Sequence, residues 1–408
     1  MNFHLINMVK LLVFLLINIM IVLPGGEIGG FNIKIFIILM YCIFMIFIFL
    51  KDNVVYRKTL YLILSLISSL ILCCFFYINS SVIAQKFGYT KMEGSSFVNF
   101  FISLYLIFIG FSQKVFDKIF FIKCVFSGVI IYSCIKILLI IFSFLNILDI
   151  NLVAAFIVSY FNAAVMVLPI TDNLSRFLMA NDYIVVFFLF FYLIYPQKIN
   201  FVSGNFRKIL ILILLVSVFI SFSRYMFILI FLGFIISLYF NFNLSVRWIL
   251  SFLLLCLMVI FLYFNFSQSI NEFIELRFNS DVSDGSDINR VVQYTCLTNL
   301  IPENFLLGYG GFGDFNSTCS TNPETKYGYE LQYLGFFYKF GLIGTILIMW
   351  FYLMPYFIMI GRKIFINKNF IPNFSLIMWL IVGLSNPYLI SSYAAVVLLL
   401  CYSFYFQE

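Results

Sequence analysis

Apolar runs of span length repeat along the whole chain, and that feature constrains the fold more than any other. The first run is Leu5–Leu23; Ile33–Leu50, Thr59–Ile78, Phe97–Gln113 and Lys123–Phe144 follow. After an interrupted stretch come Tyr183–Tyr195, Lys208–Phe222, Tyr225–Asn241, Arg247–Phe266, Phe340–Ile360, Ile371–Leu384 and Tyr388–Phe406. Crossing the hydrocarbon core takes roughly 20 such residues in a helix. Lipid offers the backbone no hydrogen bonds, so a spanning segment must be helical or part of a closed barrel. Ile209–Phe222 shows no alternation of polar and apolar residues, which excludes barrel strands. The chain is 64% hydrophobic and 10% charged, against about half and about a quarter in soluble domains. It reads as an all-α polytopic membrane protein of about twelve spans, with residues 1–408 forming a single integral membrane domain. The first run contains Lys10 and lacks a small-residue cleavage site, so it reads as a retained span and not a signal peptide.

Charge sets the expected orientation. Basic residues cluster in four short loops, at Lys51, Arg57 and Lys58; at Lys114, Lys118 and Lys123; at Lys198, Arg207 and Lys208; and at Arg362, Lys363 and Lys368. The positive-inside rule places all four in the cytoplasm, together with both termini. The net charge of +7 therefore reflects topology, and no nucleic-acid partner is expected. Asn151–Ile170 is apolar but is broken by Asn162 and Pro169. Counting it as a span would invert the Lys198 loop, so residues 146–182 read as an external, partly apolar segment. Residues 267–330 then form a large external loop between the ninth and tenth spans. That loop carries nine of the 17 acidic residues, against three bases, Arg277, Arg290 and Lys326.

The chemistry available is narrow. His4 is the only histidine, which excludes histidine-dependent triads, histidine metal sites and histidine proton relays. The nine cysteines show no metal-ligand spacing, and no metal or cofactor is expected. Seven lie in or beside apolar runs and read as packing residues; Cys296 and Cys319 lie in the large loop. An oxidising compartment permits a disulfide between these two, the alternative being a pair of buried thiols. A general base must then be a carboxylate or a less usual group. Three arginines fall in external segments: Arg176, Arg224 and Arg290. Arginine presents a planar fork of donors that suits phosphate; for Arg176 and Arg290 an ordinary loop salt bridge is the alternative. Arg224, in Ser-Phe-Ser-Arg-Tyr between two apolar runs, either serves function or snorkels to the surface. Leu307–Gly313, Leu-Gly-Tyr-Gly-Gly-Phe-Gly, lacks the Gly-Lys-Ser/Thr of a nucleotide loop. It reads either as a flexible turn or as backbone bent beside a ligand. Glu330, beside Tyr329 and Tyr333 at the next membrane boundary, reads either as a surface acid or as the candidate base.

These pieces together resemble the O-antigen polymerase (Wzy-type) and O-antigen ligase superfamily. The resembling features are about a dozen spans with a late external loop and Ser223-Arg224 between two helices. Arg290 followed by Pro302 and Gly308–Gly313, then Glu330, Tyr333 and Gly341–Gly344, complete the pattern, with Arg176 in the earlier external segment. Ligases carry histidine where this chain has Glu330, which favours a polymerase. The resemblance implies a GT-C-like fold in the bacterial inner membrane. It implies a metal-independent glycosyltransferase joining undecaprenyl-pyrophosphate-linked repeat units at the periplasmic face. Arg224 and Arg290 would stabilise the pyrophosphate leaving group, and Glu330 would take the proton of the attacking hydroxyl. Substrate contacts would fall to Arg176, Arg277, Gly308, Tyr309, Gly310, Phe312, Tyr327 and Tyr333. A chain-length regulator and a flippase of the same pathway are the implied partners. The alternatives are an O-antigen ligase and a lipid-linked oligosaccharide flippase.

Overall fold

In the computed structural model, residues 3–405 are described apart from 24, 53–54, 84–86, 146, 162–164, 172–173, 203, 222, 241–279, 320–327 and 362–369. The chain is helical with two small hairpins, an all-α polytopic membrane architecture. Helices α1 (Phe3–Val22), α2 (Ile33–Asp52), α3 (Arg57–Ile83), α4 (Phe87–Ser112) and α5 (Lys118–Phe144) follow one another. Then come α6 (Ile150–Phe161), α7 (Asp182–Ile194), α8 (Gly204–Ser221) and α9 (Arg224–Phe240). After the undescribed stretch come α10 (Ser280–Leu300), α11 (Gln332–Ile360), α12 (Phe370–Val382) and α13 (Ser392–Ser403). Among the described residues, seven helices are long and apolar enough to cross a membrane, and five shorter apolar helices accompany them. The expected span Arg247–Phe266 lies outside the described residues.

Burial sorts the helices into an inner and an outer set. In α7 every residue from Asp182 to Phe191 is buried, and in α13 every residue from Ala394 to Ser403. Helices apolar on all sides belong inside protein. Helices α2 and α3 instead expose Phe36, Leu39, Leu64 and Ile71. An apolar surface of that extent needs lipid against it.

The interrupted stretch does not form one long helix. Helix α6 has 12 residues, about 18 Å of helix by rise per residue, against about 30 Å of hydrocarbon. The chain then turns into an antiparallel hairpin, β3 (Val165–Thr171) with β4 (Leu174–Met179). A shorter hairpin, β1 (Glu27–Ile28) with β2 (Phe31–Asn32), joins α1 to α2.

Three of the four basic loops meet at one end of the bundle. Lys58 Nζ donates to Met359 O at 2.7 Å, Lys118 Nζ to Tyr405 O at 3.0 Å and Lys198 Nζ to Phe404 O at 2.9 Å. All three acceptors are carbonyls at or just past helix C-termini, where a cation also meets the negative end of the dipole. Burial lowers the Lys198 ammonium to about 8, and Lys198 stands outside the spans in a short 3-10 turn. The fourth basic loop, residues 362–369, lies outside the described residues.

Two buried ion pairs hold the opposite end. Lys136 Nζ donates to Asp182 Oδ1 at 2.7 Å and to Ser221 Oγ at 2.6 Å. Asp182 also accepts from Tyr132 Oη and from the Met179 amide, both at 3.0 Å. This knot ties α5, α7, α8 and β4 together three residues before Arg224. The second pair, Glu93–Lys339, belongs to the site below.

Candidate functional site

The site begins with a break in α11. Gly341 adopts φ 64°, ψ −173° inside that helix, a conformation open to glycine because it has no Cβ. The break frees backbone groups on both sides, and the glycine-rich loop takes them up. Tyr309 N donates to Tyr338 O at 2.9 Å and Gly310 N to Lys339 O at 3.4 Å. In return Leu342 N donates to Phe305 O at 2.8 Å and Ile343 N to Leu306 O at 3.2 Å. Gly308, with φ +73°, lies against the Gly341 amide, where a Cβ would collide with backbone. The loop is thus a strap docked into a broken helix.

Helices α3 and α4 fasten the strap from the other side. Asn79 Nδ2 and Ser80 Oγ both donate to Gly310 O, at 3.0 and 3.1 Å. Thr90 Oγ1 donates to Phe312 O at 3.1 Å. Gly313 N donates to Glu93 Oε2 at 2.6 Å, and the other oxygen of Glu93 accepts from Lys339 Nζ at 2.6 Å. Glu93 and Lys339 are buried, and the Lys339 ammonium also stands 5.6 Å from the centroid of the Tyr329 ring.

Phe312, expected to pack against a sugar face, is 1% exposed. Its ring sits among Phe76, Phe97 and Phe340, at centroid distances of 6.0, 4.8 and 5.5 Å. It anchors the strap from beneath and offers no open ring face. The amides of Gly308 and Gly310 are likewise bonded within the protein.

Arg290 and Glu330 come together across 40 residues of sequence. Arg290 Nε donates to Glu330 Oε2 at 2.9 Å, each side chain about one-third exposed (32% and 31%). One turn along α10, Gln293 is buried and accepts from the Glu330 amide at 2.9 Å. Residues three apart share a helix face, so α10 supplies a cation for the Glu330 carboxylate and an acceptor for its backbone. A small second core steadies this region: Leu297, Cys319, Tyr329 and Tyr338, separate from the main one. Tyr309 stacks on Tyr338 at 4.8 Å and donates to Glu303. That bond to a carboxylate holds the Tyr309 phenol above its usual range, and burial does the same for Tyr329. Tyr333 donates to Leu380 O at 2.8 Å.

Beside Glu330 lies a cavity of about 150 Å³ lined by residues that include Glu93, Tyr329, Gln332, Lys339 and Pro387. It is smaller than the roughly 300 Å³ at which ligand pockets begin. Neither Arg290 nor Glu330 is in its lining; both are about one-third exposed beside it.

Arg224 is the first residue of α9 and Arg176 pairs with Leu168 in the β3–β4 hairpin, but their side chains are outside the description. Arg277 and Tyr327 lie outside the described residues. Sequence reasoning passed over Glu93, Gln293, Lys339 and the Lys136–Asp182 pair. The available signal was a charge at the edge of, or inside, an apolar run, which is costly in lipid and therefore informative.

Residues 209–349 match the family model Wzy_C, described as O-antigen ligase, over about a third of the chain. The match supports the O-antigen polymerase/ligase superfamily. It begins within α8, contains Arg224, Arg290, the glycine strap and Glu330, and ends in α11 beyond the break. Comparisons with curated proteins and with solved structures find no match.

Cys296 and Cys319 are bonded, with Cα atoms 5.4 Å apart. The bridge ties α10 to the residues that follow the strap. The two cysteines are 23 residues apart in sequence, and closing a loop of that length contributes about 3.5 kcal/mol in the chain-entropy treatment. Cys296→Ala is expected to lower unfolding stability by about 2–4 kcal/mol and to expose Cys319 to alkylation after denaturation without reductant. Two alkylatable loop thiols in unreduced wild-type protein would overturn the bond.

Proposed function

We propose that this chain is an O-antigen polymerase, a glycosyltransferase that joins lipid-pyrophosphate-linked repeat units on the external face of the inner membrane. The observation that carries the reading is the Arg290–Glu330 pair, about one-third exposed and just before the span-length helix α11, inside the segment that matches the family model. In the reaction, a hydroxyl of the acceptor glycan attacks the anomeric carbon of the donor. The bond from that carbon to the pyrophosphate oxygen breaks, and the lipid pyrophosphate leaves with the electron pair. Glu330 takes the hydroxyl proton. Arg290, with Arg224, meets the charge growing on the leaving group, a task for preorganised donors in a water-poor site. An exposed ion pair is worth about 1 kcal/mol or less, so an arriving pyrophosphate readily draws Arg290 from Glu330. That exchange frees the carboxylate as the leaving group is engaged.

The description of the matching family, O-antigen ligase, makes ligation the second reading. The absence of any histidine but His4 favours polymerisation. Deleting the gene separates the readings on a lipopolysaccharide gel. Loss of a polymerase leaves the core capped with one repeat, whereas loss of a ligase or a flippase leaves it bare. Orientation has its own test. Alkaline phosphatase fused after Asp287 is expected to be active and fused after Lys198 inactive, and the reverse pattern would place Glu330 in the cytoplasm and end the proposal.

A further inference from the structure

Helix α3 starts in one recess of the bundle and ends against the glycine strap. Arg57 and Lys58 form its first turn, and Asn79 and Ser80 hold Gly310 near its last. Over 27 residues the helix covers about 40 Å by rise per residue. The recess at its start is therefore about a membrane thickness away from the glycine strap. It is a cavity of about 760 Å³, within the roughly 300–1,000 Å³ typical of ligand sites.

Five cations line it: Lys10 from α1, Arg57 and Lys58 from α3, Lys114 from the α4–α5 turn and Lys118 from α5. The acid among the lining residues is Asp117, and its Oδ1 already accepts from the Phe120 amide at 2.8 Å as the cap of α5. Lys10 and Lys114 stand over the rings of Phe120 and Tyr56, at 6.0 and 5.5 Å. A ring face attracts an ammonium but does not cancel its charge. The wall beneath is apolar and aromatic, with Phe111, Phe116, Met359 and Tyr402. Positive-inside bias places cations in loops. It does not bring five of them from four segments around a single apolar-floored cavity.

Lys114 carries an independent mark. Its φ is 57°, and among the described residues it is the non-glycine residue with positive φ. It stands just past the end of α4, where the amides of Gln113, Lys114 and Val115 close back on Ile109, Phe111 and Gly110. Glycine is the usual residue at such a helix stop, and a side chain there costs about 1 kcal/mol or more. The strained backbone sets Lys114 among the cavity's lining residues.

We propose that this recess binds the phosphodiester headgroup of an anionic phospholipid, its glycerol and upper acyl chain lying on the apolar floor. The recess lies at the ends of α3 and α5, helices long and apolar enough to cross a membrane, where a lipid headgroup would meet it. The inference does not depend on the glycosyltransferase reading.

The test uses the full chain, purified in detergent and examined by native mass spectrometry against phosphatidylglycerol, phosphatidylcholine and inorganic phosphate. Phosphatidylglycerol is expected to be retained about tenfold more than phosphatidylcholine, since each basic residue near a lipid surface contributes substantially to anionic lipid binding. The triple variant Lys58→Gln, Lys114→Gln, Lys118→Gln is expected to lose that preference. A control triple of equal charge outside the recess, Lys51→Gln, Arg207→Gln, Lys208→Gln, is expected to keep it. Lys114→Gly covers the case in which the pocket triple fails to fold. It relieves the backbone, so it is expected to be at least as stable as wild type while retaining several-fold less phosphatidylglycerol. Equal retention of the two lipids, an unchanged pocket triple or Lys114→Gly, or an equal loss in the control triple would overturn the site. Complete displacement of phosphatidylglycerol by inorganic phosphate would assign the recess to a free anion and overturn the lipid.

Discussion

Glu330→Gln is expected to slow chain extension by about 10²–10⁴-fold, the range over which a positioned base acts, with no change in protein abundance. The two halves of that expectation come from different observations. Glutamine keeps the shape of Glu330 and can still accept from Arg290, so the local fold survives. The ion pair it replaces is about one-third exposed on each side, and a pair of that kind contributes at most about 1 kcal/mol. A large loss of rate in stable protein is therefore a loss of chemistry. Arg290→Ala is expected to cost about 10²–10³-fold, the scale seen on removing one donor to a developing charge. Arg290→Lys is expected to restore part of it, because an ammonium cannot reproduce the planar fork. Arg224→Ala and Arg224→Lys make the companion pair: an anchor that merely snorkels would regain full activity with lysine and lose protein with alanine. The measurement is the repeat-number ladder, with purified protein and lipid-linked repeat units to give the rate. Normal ladders from Arg224→Ala and Arg290→Ala would remove the pyrophosphate role, and a normal rate from Glu330→Gln would remove the base.

Much of the scaffold was legible because the bilayer imposes it locally. A run such as Ile33–Leu50 has one stable form in lipid, and the structure places α2 at Ile33–Asp52. The broken stretch after Asn146 was also readable, since Asn162 and Pro169 mark a segment that cannot run straight through. The tertiary pairings were not legible. Helix α4 starts at Phe87, ten residues before the apolar run suggests, and this carries Glu93 onto a helix and into contact with Lys339, 246 residues away. Nothing local announces such a partner. Lys136 and Asp182 failed for a related reason. Each was absorbed into or placed beside an apolar run, whereas a charge there needs an opposite charge from another helix. The glycines were noticed as a group, but their use was not. Gly308 and Gly341 answer one another across the break in α11, each making room for the other's backbone. Positive φ at one glycine is a local property, and the pairing of two is not. For Arg290 and Glu330 the sequence supplied the residues, and Gln293, three positions along α10, was the part that only the fold reveals.

The largest effect on stability is expected at Lys339. Its ammonium is 3% exposed and the Glu93 carboxylate 11% exposed, 2.6 Å apart. Removing one member of such a pair leaves a charge in a low-dielectric site without compensation, at a cost of about 3–5 kcal/mol. Lys339→Met is thus expected to lower the unfolding temperature in detergent sharply and to reduce the amount of protein recovered. The carboxylate left behind still accepts from the Gly313 amide, but one neutral donor does not replace an ammonium. Glu93→Gln should be milder, because an amide oxygen can keep the bond to Gly313 while Lys339 retains the nearby Tyr329 ring. The double variant Glu93→Gln, Lys339→Met decides between charge and packing. Exchanging both members of a buried pair for groups of similar size is often close to neutral, so it should recover most of the stability that Lys339→Met loses. The strap supplies the second readout. Glu93 and Lys339 together hold Gly313 and flank the break that receives residues 305–310, so limited proteolysis in that segment should accelerate in Lys339→Met and slow again in the double variant. A Lys339→Met protein as stable as wild type, or a double variant no better than the single, would mean that packing and not the buried charge fastens the strap.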